Sequence, residues 1–102
     1  MSIRITYSTP AVESYARKVG AEDVLADALR ALSHLLSADI EATLTSSVLQ
    51  VERADTGAVV MQSQPGDTIE QMVRGVDMRV DLRWRRAHGI KVGGGPRYVA
   101  PI

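Results

Sequence analysis

Residues 68–88 read TIEQMVRGVDMRVDLRWRRAH, and the fold turns on whether they form one helix or a helix and a strand. Thr68 and Gln71 have the spacing of a capping box, in which each side chain satisfies the other residue's backbone N–H. As one helix running to His88, the stretch carries Ile69, Met72, Val73, Val76, Val80, Trp84 and Ala87 on one face. That arrangement exposes Met78 and Leu82 and puts Arg83 on the apolar side. The competing pattern stops the helix at Gly75. Val76, Met78, Val80, Leu82 and Trp84 then alternate without exception with Asp77, Arg79, Asp81, Arg83 and Arg85, which is the period of a half-buried strand. Gly75 directly after Arg74 is a credible helix end. The cleaner alternation predicts a strand over 76–86.

The flanking segments are easier to read. Ile3, Ile5 and Tyr7 alternate with Ser2, Arg4 and Thr6, giving a first strand. Thr9-Pro10 then starts a helix, because Thr can cap and proline's fixed φ suits the first helical position. Val12, Tyr15, Ala16 and Val19 form its apolar stripe, and Gly20 is placed to end or break it. A second amphipathic helix is expected from about residue 21 to 37, on Val24, Leu25, Ala28, Leu29, Leu32, Leu35 and Leu36. From residue 43 to 53 Thr, Ser and Val replace the helix formers, and one strand is expected there. The stretch 53–57 is turn chemistry, with Gly57 suited to positive φ, and residues 58–63 are the returning strand. Past the decisive segment, 87–89 read as a turn and 90–92 as a short strand. Gly93-Gly94-Gly95-Pro96 then bars regular structure.

These elements predict an α+β domain over residues 1–92, followed by a Gly-rich joint and C-terminal arm over 93–102. With a strand over 76–86 the order is βαββαβ, a ferredoxin-like sandwich whose helices cover one face of a four-stranded antiparallel sheet. With residues 68–88 as one long helix the order is instead β-αα-ββ-α. The first 37 residues, a strand, a Thr-Pro-capped helix and an amphipathic helix, also resemble the start of RelE/ParE-type toxins. The resemblance covers that portion alone. The remainder lacks the compact basic strands of that family.

Composition limits the functions to consider. The 102 residues include no Cys and no Phe, 12 basic and 12 acidic side chains, and 45% apolar residues. Thiolate chemistry and disulfides are therefore excluded. No apolar run approaches the roughly 20 residues of a membrane helix. With no charged-then-apolar leader at its start, the chain is expected to be cytoplasmic. No Gly-x-Ser-x-Gly or His-Glu-x-x-His motif is present. Neither His34 nor His88 has an evident catalytic partner, so a non-enzymatic chain with no cofactor and no metal is expected.

The neutral total conceals an asymmetry. Residues 1–52 hold four basic and seven acidic groups, and residues 53–102 hold eight and five. No acid follows Asp81. The candidate contact residues are accordingly Arg79, Arg83, Arg85, Arg86, Arg97 and Tyr98, for a protein interface or an anion. The leading expectation is an interaction module that self-associates as a homo-oligomer or a subunit of a larger assembly. It would use the charged segment 76–86 and the arm, whose Tyr98, Val99 and Ile102 could dock on another copy. The alternative is a small nucleic-acid-binding protein, or a toxin-like ribonuclease, using the arginines of 79–86.

Overall fold

A computed structural model describes residues 2–87, with side chains through residue 84. The chain runs β1 (Ile3–Tyr7), α1 (Pro10–Lys18), α2 (Ala21–Leu36), β2 (Ile40–Leu44), β3 (Leu49–Arg53), β4 (Val59–Gln62) and α3 (Ile69–Ala87). This is an α+β fold. The turn and short strand expected over 87–92 and the joint and arm over 93–102 lie, past Ala87, outside the described residues.

Local chemistry sets the first half as expected. Thr9 Oγ1 accepts from Val12 N at 3.2 Å, and Pro10 opens α1. Gly20 adopts φ 75° and divides α1 from α2. The glycine therefore breaks the helical stretch into two, because φ in this region costs an L-residue about 1–2 kcal/mol. Glu22 and Asp23 occupy the first turn of α2, where the helix dipole favours negative charge.

Two expectations are corrected. First, the region read as one strand over 43–53 is a hairpin of two, β2 and β3. Its turn uses no Gly, Pro, Asn or Asp. Instead Thr45 Oγ1 accepts from the backbone N–H of Ser47 at 3.1 Å and of Val48 at 2.9 Å, and Thr45 N donates to Val48 O at 2.9 Å. A hydroxyl thus supplies what a turn residue usually does.

Second, residues 69–87 are a single helix, so no strand exists over 76–86. Thr68 and Gln71 form the reciprocal box, with Thr68 N donating to Gln71 Oε1 at 2.8 Å and Gln71 N to Thr68 Oγ1 at 3.2 Å. The buried residues are Ile69, Met72, Val73, Val76 and Val80, at helical spacing. They cover the buried stripe of α2, namely Leu25, Ala28, Leu29 and Leu32. α2 packs against α3 more extensively than against any strand, and burying these five side chains there outweighs a neat alternation. Gly75 is carried inside the helix at about 1 kcal/mol relative to Ala.

The sheet has the order β1-β2-β3-β4, with β1 parallel to β2 and both later pairs antiparallel. The ferredoxin-like order βαββαβ is therefore overturned. The observed order is β-αα-βββ-α, which is the long-helix alternative with one more strand. Ile40, Ala42, Leu44, Leu49, Val51 and Met61 are buried on the face toward the helices. The opposite face is polar. Thr6, Thr43, Gln50 and Gln62 lie in one row across it, and Arg4, Glu41 and Glu52 in another that ends at Val59. Such a face is at ease in water and requires no cover.

Candidate interaction surfaces

Helix formation sorts the charges that a strand would have interleaved. Asp77 and Asp81 lie on the side of α3 toward α2, where they line a hollow with Asp27, Ala28, Ala31, Val80 and Trp84. Arg79 and Arg83 lie on the side toward the sheet edge, lining a hollow of about 260 Å³ with Val60, Met61 and Leu82. Met78 stands at the outer side of the helix, 58% exposed, and Leu82 one turn later is half-buried. Positions four apart share a helix face. Over residues 77–83, α3 thus presents a short apolar strip with Asp77 and Asp81 along one border and Arg79 and Arg83 along the other, and Arg85, four positions after Asp81, follows on the acidic border. Trp84 is 41% exposed on the acidic side.

Of the candidate contact residues, Arg79 and Arg83 are brought together here. Arg79 has a structural task as well, since its Nη1 donates to the main-chain oxygen of Gln62 at 3.2 Å. Arg85 and Arg86 belong to the last turn of α3, and their side chains are outside the described set. Arg97 and Tyr98 lie outside the described residues altogether. His34 is exposed on α2. Among the described residues no group of three or more His, Asp or Glu side chains is placed to hold a metal ion.

A second surface was not singled out by the sequence. The free edge of β1 and the turn into α1, residues 4–10, form one wall of an open trough of about 510 Å³, and Glu13, Arg17 and Glu22 form the other. Within it Tyr7 OH donates to Glu22 Oε2 at 2.5 Å, Arg17 Nε reaches the same oxygen at 3.2 Å, and Arg17 Nη2 lies 2.6 Å from Glu13 Oε2. Burial first, then the bond to Glu22, pushes the Tyr7 hydroxyl pKa above the usual phenol range. The same bond, with help from Arg17, holds Glu22 below the ordinary carboxylate range. The i,i+4 pair Glu13–Arg17 is visible in the sequence, whereas the link from Tyr7 to Glu22 arises only when β1 meets the start of α2. Glu70 of α3 accepts from Tyr15 OH of α1 at 2.8 Å and so ties the two helices together.

The two sheet edges differ. In β4, Ser63 N bonds to Leu49 O, so the alternation of an antiparallel ladder turns the Gln62 carbonyl outward. Arg79 occupies that carbonyl. The strand has four residues, and a register shift leaves Val60 as an extra residue between the Met61 and Val59 pairings. Short length, a bulge and a covering cation are all devices that discourage edge pairing. Among the described residues β1, one residue longer, has neither a bulge nor a cation bonded to an outward carbonyl. No family model, curated protein or solved structure matches the chain.

Proposed function

We propose that this chain is a non-enzymatic interaction module, a self-associating subunit of a larger protein assembly. Its contacts run through the outer side of α3 over residues 76–86 and through the C-terminal arm. The observation that supports this most is the strip of Met78 and Leu82 bordered by Asp77 and Asp81 on one side and by Arg79 and Arg83 on the other. An apolar centre with a charged rim is the usual make-up of a protein contact. Borders of opposite sign also suit a second copy, whose acidic border can meet the arginine border of the first. Sedimentation of the full chain with Met78→Glu and Arg83→Glu tests the reading. Each variant is expected to lower the average mass while keeping the helical signal. Unchanged association in both would remove α3 from the contact.

One observation favours a second reading, nucleic-acid binding. Because the helix puts Asp77 and Asp81 away from Arg79 and Arg83, the acids do not mask the arginines from a phosphate backbone. That reading predicts retardation of RNA or duplex DNA at low salt, with Arg83→Ala flattening the salt dependence. An absence of retardation under those conditions rejects it.

A further inference from the structure

The unprotected edge of β1 carries a more specific consequence, which builds on the self-association reading above. In the parallel pair β1–β2, Ile40 N bonds to Ser2 O and Ser8 N bonds to Leu44 O. Even-numbered residues therefore direct their backbone groups toward β2. By the alternation of the ladder, Ile3, Ile5 and Tyr7 direct theirs to the free edge. The same three residues have half-buried side chains packed against the core. An added strand would thus receive a row of backbone donors and acceptors and extend an apolar face already begun.

We infer that β1 pairs antiparallel with β1 of a second copy about a two-fold axis at Ile5, joining the two sheets into one. The sequence is self-complementary in that register. Ile5 meets Ile5, and Ile3 meets Tyr7, so the apolar row continues unbroken on the helix side. On the polar side Arg4 stands opposite Thr6, so no two like charges are directly opposed. Arg4 keeps its own neighbour, Glu41, with Nη1 3.9 Å from Oε1. A two-fold contact also closes on itself and protects both exposed edges at once. The β4 edge, capped by Arg79, is left out of the union.

The absence of native cysteine makes the register directly testable. Arg4 and Thr6 are exposed, and a non-hydrogen-bonded antiparallel pair has Cα atoms about 4.5 Å apart. That separation falls within disulfide reach, whereas diagonal neighbours exceed about 7 Å and do not bridge. Full-length Arg4→Cys and Thr6→Cys chains are oxidised separately and as a mixture. The mixture is expected to give a cross-linked dimer, at least tenfold more than either variant alone. No cross-link in the mixture, or equal yields in all three, overturns the pairing. Cross-linking that appears only when residues 93–102 are removed also overturns it, because the edge would then belong to the chain's own arm. Sedimentation of the unmodified chain separates the two levels. An oligomer without the cross-link refutes this pairing alone, whereas a monomer refutes self-association itself.

Discussion

The guanidinium of Arg79 on α3 and the main-chain oxygen of Gln62 on β4 lie 3.2 Å apart, and through this contact the helix closes the edge of the sheet. An exposed edge strand is a template for another chain, and a cation on its free carbonyl makes that template harder to use. Arg79→Ala is expected to cost about 0.5–1.5 kcal/mol and to lower the concentration at which the protein aggregates on mild heating. Light scattering beside a denaturant titration measures both. Unchanged aggregation would remove the edge-closing role.

Two glycines separate the helix from the alternatives. Gly20 holds φ 75° between α1 and α2, whereas Gly75 sits inside α3 with nothing within 4 Å of an added Cβ. Gly20→Ala is expected to lose about 1–2 kcal/mol, and Gly75→Ala to gain about 0.5–1 kcal/mol. A helix that ended at residue 75 would need that glycine's conformational freedom, so loss of stability in Gly75→Ala would contradict a continuous α3. Denaturant midpoints of the two variants decide it.

Ser33 is fully buried on α2, and its Oγ has no hydrogen-bond partner among the described residues. A buried hydroxyl without a partner carries an uncompensated desolvation cost. Ser33→Ala should raise stability by about 1 kcal/mol in urea unfolding. A loss of similar size would mean that the hydroxyl is satisfied.

The Tyr7–Glu22 bond links stability to pH at both ends. Glu22 titrates below its ordinary range when folded. Its contribution is therefore present above the unfolded value and is lost as pH falls through the folded one. Tyr7 is shifted upward, so its contribution is complete below the ordinary phenol value and fades as pH rises above it. Tyr7→Phe should flatten both limbs of the stability profile. In a phenolate absorbance titration it should also remove the most retarded step. Identical limbs in variant and parent would show that the bond does not form in solution.

Much of the first half of the fold is legible because single residues punctuate it. Thr9-Pro10 starts a helix, Gly20 divides two, and Ile3, Ile5 and Tyr7 have one period only. Residues 68–88 resist because Val76, Val80 and Trp84 are spaced by four, and positions four apart share a face in both a helix and a strand. What resolves them is tertiary: as a helix packed on α2 the segment buries Val73, Val76 and Val80 together. The hairpin between β2 and β3 was hidden for a different reason, since the hydroxyl of Thr45 makes a turn in a run of Thr, Ser and Val that reads as extended. Among the candidate contacts, the arginines at 79 and 83 were visible as charges. Their separation from Asp77 and Asp81 was not, because it depends on helix against strand. The β1 trough was invisible for want of any local signal that Tyr7 and Glu22 would meet.

Self-association is the claim on which the proposed function and the β1 pairing depend, and sedimentation velocity of the untagged full chain over a wide concentration range measures it most directly. The expected result is a mass at or above twice the 11.0 kDa chain, rising with concentration. A single 11.0 kDa species at every concentration would contradict it.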